Sequence, residues 1–412
     1  MAFADASIAQ PYADARRLPL LVQLHDWVVT VDHKRLGIMY ICTGLLFFAV
    51  GGLEASIMRW QLAFPHHDAV SPEVFNRLFT MHGTTMVFLF GMPIILGLAN
   101  YLVPLMSGAR DLAFPRLNAF GFWLSFCGGL LLYFSYLGGE GLSGAGTAPD
   151  VGWFAYAPLT ARAFSRGHST DYWILSLLVG SLGSVTTSIN IVTTVCCMRC
   201  QGMTLARLPL FVWLLLIVAV MILFAMPPLT AAQIMLLLDR YLGAHFFDTQ
   251  AGGSALLWQY FFWIFGHPEV YILMLPGFAA ASEIIPVFSR KPIFGYPAMV
   301  GASVSIAFIG MGVWAHHMFT VDMSAPANIF FAASTMLIAV PTGIKIFNWL
   351  ATMYGGKIRF ATPMLFCIGF LFQCLCAGLT GVMLAAAPFD WAAYCDQRSF
   401  CRWIPSLFSH SE

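Results

Sequence analysis

Residues 255–286 read ALLWQYFFWIFGHPEVYILMLPGFAAASEIIP. The stretch is apolar almost throughout and longer than the roughly 20 residues a helix needs to cross a hydrocarbon core. Lipid admits only helices or closed barrels, because every backbone polar group must be satisfied internally. Barrel strands alternate in polarity, and this run does not. It predicts a spanning α-helix. Eight further apolar runs of similar kind lie near 37–60, 79–105, 117–138, 171–198, 208–236, 294–317, 327–352 and 362–388. The expected fold is therefore all-α, a polytopic transmembrane bundle of about nine spanning helices. No soluble domain and no clear repeat is evident.

Composition agrees. The 412-residue chain is 59% hydrophobic and 9% charged, too few charges to cover a soluble surface of that apolarity. Its formal net charge of +1 offers no field for nucleic acid. Lys and Arg placement tests the topology independently of hydropathy. Arg16, Arg17, Lys34, Arg35, Arg110, Arg116, Arg199, Arg207, Arg290, Lys291, Lys357 and Arg359 fall on one side if the runs alternate. The opposite loops hold Arg77, Arg162, Arg166 and Arg240. The N-terminus is thus expected in the cytoplasm and the ninth run to exit on the far side. The N-terminus is polar before its first apolar run, so no cleavable signal peptide is read there. Most of the ten cysteines lie in apolar segments, where cysteine packs as a small hydrophobe. Cys197 and Cys200 form a lone CxxC with too few ligands for a metal.

Ionisable groups at membrane depth are costly and default to function. Within 255–286, His267 and Tyr271 are four residues apart and share a helix face, whereas Glu269 is rotated away. Pro268 removes a backbone donor and loosens the turn. A carboxyl in an apolar interior is suited to carrying a proton in neutral form. His316 and His317 end the seventh run in the sequence WAHH. Adjacent helical residues diverge by about 100°, so both imidazoles reach one ion only if the helix end is distorted. Three imidazoles without thiolate, His267 with His316 and His317, suit copper or zinc. His82, in MHGTT, is weak alone; Gly83 beside it would admit a flat ring close to the helix. Lys345 lies deep in the eighth run with no carboxylate evident in its helix, which suits a proton relay. Its alternative is a side chain that snorkels to the surface.

At these residues the chain resembles subunit I of the haem-copper oxidases, on the bacterial cytochrome c oxidase side. The likeness runs from about Thr30 to Trp391, through MHGTTM (81–86), GARDLAFPRLN (108–118), FGHPEVY (265–271), SRKPIFGY (289–296), WAHH (314–317) and AVPTGIKIF (339–347). It implies His82 as an axial ligand of a low-spin haem and His267, His316 and His317 as copper ligands of the oxygen-reducing centre. Tyr271 matches the tyrosine covalently joined to the first of these histidines, which supplies an electron and a proton. Asp111 matches the mouth of one proton channel, Asn100 and Asn118 its asparagines, Ser184 and Asn190 its upper lining, and Glu269 its inner end. Lys345, Thr342 and Ser282 match a second channel. Arg59 matches an arginine near the low-spin haem, and Trp153 a tryptophan near the active site. The resemblance implies oxygen reduction to water in a bacterial inner membrane, coupled to proton pumping. Cytochrome c is the implied electron donor, with quinol open, and subunits II and III and membrane lipid are the implied partners.

The family pattern has twelve helices, of which this reading finds nine. After Trp391 the tail, AAYCDQRSFCRWIPSLFSHSE, departs from it. The expected organisation is a cytoplasmic segment (1–35), an incomplete oxidase domain (36–391) and a divergent tail (392–412). A shifted reading frame, a rearranged gene end or a split protein would each give such a tail. The protein ligand of the high-spin haem and the second ligand of the low-spin haem are then expected to be missing. The alternatives are a non-catalytic remnant or copper-binding helix bundle, a proton-coupled transporter, and a nitric oxide reductase. The transporter leaves three clustered histidines unexplained, and Tyr271 with two proton-channel sets argues against the reductase.

Overall fold

A computed structural model describes residues 19–65, 67–139, 147–321 and 323–386. The tail 392–412, Trp391, His66, His410, Arg16 and Arg17 lie outside the described residues. Among the described residues the ordered elements are all helical. A short helix, α1 (Leu20–Val28), precedes the bundle. There follow α2 (His33–Gln61), α3 (Pro72–Ser107), α4 (Pro115–Gly138), α5 (Ser169–Cys197), α6 (Leu210–Leu242), α7 (Ala255–Ser289), α8 (Tyr296–Gly310), α9 (Ala325–Met353) and α10 (Thr362–Leu384). Eight of these are long and apolar enough to cross a membrane, and α8 is shorter. The protein is a multi-pass membrane protein, and nine apolar runs meet nine helices.

Local chemistry sets the starts and breaks. Asp32 caps α2 by accepting from Lys34 N and Arg35 N at 2.9 and 3.0 Å. Ser71 caps α3, with Pro72 at its first turn. Inside α3, Thr85–Gly91 widens into a π-helical turn just after His82. Pro93 explains it: without an N–H, proline breaks the regular bonding of the turn before it. Pro341 similarly accounts for the break in α9 at Ile338.

Close approaches, rather than hydrophobic contrast, hold helices together in lipid. A Cβ on Gly128 of α4 would stand 2.8 Å from Ser176 O of α5. Gly37 of α2 meets Gly97 of α3 in the same manner. The buried core is centred on α6 and α7, with Trp258, Phe262, Phe265 and Phe278 wholly enclosed. The outer faces carry Phe308, Phe347 and Phe366, as suits contact with lipid.

The seventh run differs from its sequence reading. Instead of a helix from 294 to 317, α8 stops at Gly310 and a separate 3₁₀ turn follows at Trp314–Met318. A Cβ at Gly310 would lie 2.7 Å from the Tyr271 ring, so only glycine fits there, and Gly312 follows in a tightened turn. This is the distortion that two adjacent histidines need to face one point.

Candidate metal centre

The deep face of α7 and the 3₁₀ turn meet at three imidazoles. His267 Nδ1 lies 3.1 Å from His317 Nε2, and His316 Nε2 lies 3.0 Å from the same atom. The ring centroids of His267 and His316 are 4.3 Å apart and almost perpendicular. Two nitrogens bound about 2 Å from one ion stand about 3 Å apart, so the separations suit a shared metal. Among the described residues this is the one group of three or more His, Cys, Asp or Glu side chains able to hold an ion.

The surrounding bonds orient the rings. Thr335 of α9 donates its hydroxyl hydrogen to Phe331 O at 2.6 Å. Its oxygen is then left to accept from His316 Nδ1, 2.8 Å away. A neutral imidazole carries one N–H, so His316 Nε2 presents a lone pair to the cluster. Trp263, one turn before His267, stacks on His317 with centroids 4.0 Å apart and planes within 11°. Its indole N–H donates to Tyr156 OH at 2.5 Å. Burial raises the Tyr156 phenol above its ordinary pKa, and the bond from Trp263 lowers it in part. The centre thus offers three nitrogen donors and no thiolate, with His267 buried, His316 half-buried and His317 exposed. That donor set fits copper or zinc.

Tyr271 stands on the same face of α7, its ring 4.8 Å from that of His267, whose Nε2 is buried without a partner. Glu269 is rotated away, as its spacing requires, and is buried with both carboxyl oxygens unpaired. Trp153 packs edge-on against Trp263 at 5.9 Å and so reaches the centre through one intervening ring. It also covers Gly83: a Cβ there would stand 3.0 Å from Trp153. The flat ring that Gly83 admits is this indole. His82 Nδ1 bonds Gly51 O at 2.9 Å, which fixes the ring. Arg59 is exposed in the last turn of α2.

The remaining candidates form two polar regions. Asp111 lies in the loop before α4, and that loop is tied to α5 by Phe114 N donating to Asn190 Oδ1 at 2.7 Å. Asn100 and Asn118 are fully buried, and Asn118 has neither amide atom paired. Farther along, a cavity of about 20 Å³ is lined by Ser125, Ser176, Ser181 and Ser184. It has room for about one water, and unpaired serine hydroxyls to hold it. In the second region Lys345 does not snorkel: it is fully buried, donates to Ser303 Oγ at 2.6 Å and sits over the Phe278 ring. Ser282 is committed to Phe278 O and Trp349 Nε1. Thr342 instead lines a cavity of about 670 Å³ with Tyr271, His316 and Thr335.

That cavity has the volume of a cofactor pocket. Of its lining residues, His316 alone carries an imidazole, and both its nitrogens are engaged. The described residues therefore fit copper, and the cavity beside it is lined by no second histidine for a haem iron. Sequence reasoning missed Trp263, Tyr156 and Thr335. Trp263 was detectable as the residue four before His267; the other two come from distant segments.

The family described as Cytochrome C and Quinol oxidase polypeptide I matches residues 35–394. Cytochrome c oxidase subunit 1 of Bacillus subtilis is 50% identical over 89% of this chain and 58% of its own length. A probable cytochrome c oxidase subunit 1-beta of Nocardia farcinica is 49% identical over 93% of this chain and 63% of its own. Quinol oxidase subunit 1 of Bacillus spizizenii is 44% identical over 93% of this chain and 61% of its own. The chain spans about three-fifths of the length of these relatives.

Proposed function

Because the chain belongs to the Cytochrome C and Quinol oxidase polypeptide I family, the haem-copper oxidase subunit I proteins, we propose that it is the copper-holding core of a respiratory terminal oxidase. In this reading oxygen is reduced to water in a bacterial inner membrane, with electrons from cytochrome c and coupled proton pumping. Subunits II and III are its partners, and residues 36–391 form its membrane domain with the N-terminus cytoplasmic. The observation that carries the reading is the convergence of His267, His316 and His317 nitrogens on one point.

Copper bound there would supply a redox-active ion with a position open for a reacting ligand. The chain's own residues do the rest. Thr335 and Trp263 fix the imidazoles, and Trp153 buttresses Trp263 from outside. Tyr271 offers a phenol hydrogen beside His267. Asp111 takes up protons at the surface, Asn100, Asn118, Asn190 and Ser184 line the way, and Glu269 holds a proton at its inner end. The unpaired amide, hydroxyl and carboxyl atoms on this route support it, since buried polar groups without protein partners are where water sits. Lys345 with Ser303 and Thr342 serves a second entry toward Tyr271, with Ser282 beside it. His82 would ligate the low-spin haem, with Arg59 near it.

One observation favours a second reading, a copper-binding helix bundle without oxidase activity: among the described residues, the cavity beside His316 is lined by no further histidine for a haem iron. The quinol oxidase relative makes quinol the alternative donor. The purified chain tests both readings. One copper per chain, a low-spin haem signal in the reduced-minus-oxidised spectrum and oxygen uptake with reduced cytochrome c support the oxidase. Copper without haem or oxygen uptake leaves the bundle, and absence of copper defeats both.

A further inference from the structure

On the face shared by the α7–α8 and α9–α10 connections, four cations stand in two loops that pack as one platform. Arg359 N donates to Phe288 O at 2.8 Å, and a Cβ on Gly356 would lie 2.7 Å from Ser289 O. Lys291 Nζ bridges the loops, donating to Ala351 O at 3.1 Å and Tyr354 O at 2.6 Å. Those carbonyls end α9, so the ammonium covers the negative end of that helix and keeps a third hydrogen free. Arg290, Lys357 and Arg359 are exposed around it. From residue 284 to 386 the sequence holds one carboxylate, Asp322, which lies outside the described residues. Glu283 turns inward to accept from Phe211 N. Beside the cations runs a groove of about 880 Å³, lined by Phe294, Phe347, Leu350, Ile358 and Ile368. Phe347 and Tyr354 are 72% and 84% exposed at its rim.

A positive platform without acids, opening directly on an apolar groove, has the two chemistries of one kind of molecule. We propose that this face holds an anionic phospholipid, its phosphate among Arg290, Lys291, Lys357 and Arg359 and an acyl chain in the groove. Each cation near an anionic headgroup contributes about a fivefold preference. The site does not depend on the metal centre or on the oxidase reading.

Native mass spectrometry of the full chain in micelles of equal phosphatidylglycerol and phosphatidylcholine tests it. The wild-type chain should retain the glycerol lipid about fivefold or more over the choline lipid, an enrichment that falls as salt is raised. K357Q/R359Q should bring the ratio near unity, and Ile368→Trp should reduce retention of both lipids by filling the groove. R110Q/R116Q, which removes two cations from another loop on the same side, should leave the enrichment unchanged. Retention in the mixing ratio by the wild-type chain overturns the proposal. So does an equal loss in R110Q/R116Q, because that is attraction to the whole face and not a site. If K357Q/R359Q does not accumulate, R359Q alone decides by the same ratio.

Discussion

Two clusters of buried ionisable side chains lie at opposite extremes of hydrogen-bond satisfaction. Near the ends of α5 and α6, Arg240 donates to Asp171 Oδ1 at 2.5 Å and to the carbonyls of Thr160, Ser165 and Gly167. Tyr241 and His168 fill the other oxygen of Asp171. Each ionisable group there has a partner, and the charges close on one another. At the junction of α7 and the 3₁₀ turn, by contrast, imidazole nitrogens face one another and Glu269 has no partner at all. Both clusters have ionisable side chains at their buried centres, Asp171 and Arg240 in one and His267 and Glu269 in the other. The closed one is a staple that fastens the 147–168 loop to the bundle. The open one is the site proposed to hold copper and a proton. Unspent bonding capacity, rather than burial or charge, separates function from architecture.

Breaking the staple should have the largest effect. Arg240→Met leaves Asp171 buried without its counter-ion, a cost of about 3–5 kcal/mol, and should strongly reduce the amount of folded chain recovered from membranes. Replacing both partners, as in D171L/R240M, should restore most of that yield; failure of the rescue would mean the pair does more than satisfy itself. At the open cluster, His317→Ala should lower copper affinity by about 100-fold or more in equilibrium dialysis, while thermal stability of the apo chain changes little. Thr335→Val, which frees His316 Nδ1, should cost about 10-fold in affinity in the same assay. Smallest of all, Glu269→Gln should leave copper affinity within about twofold, because the side chain points away from the metal. In an assembled oxidase the same variant should stop proton uptake, measured by stopped-flow pH change. Normal uptake there would remove Glu269 from the route.

The contrast also explains what the sequence made legible. Nine apolar runs translate into nine helices because hydropathy and length suffice in lipid. His267 and Tyr271 pair through simple helical spacing. The convergence of His316 and His317 could be stated only as a condition, a distorted helix end, and the α8 break at Gly310 supplies it. Thr335 and Tyr156 were invisible because they arrive from other segments and contribute one bond each. The outcome for Lys345 turned on a serine 42 residues away, which no pattern within its own helix contains. Gly83 was read as space for a cofactor, and Trp153 occupies that space.

The most direct test is copper binding to the purified full chain, by metal analysis together with electron paramagnetic resonance of the oxidised ion. One copper per chain with hyperfine structure from three nitrogens, abolished in both His267→Ala and His317→Ala, is the expected result. Copper that is absent, or that stays bound in both variants, would contradict a shared site on these three imidazoles.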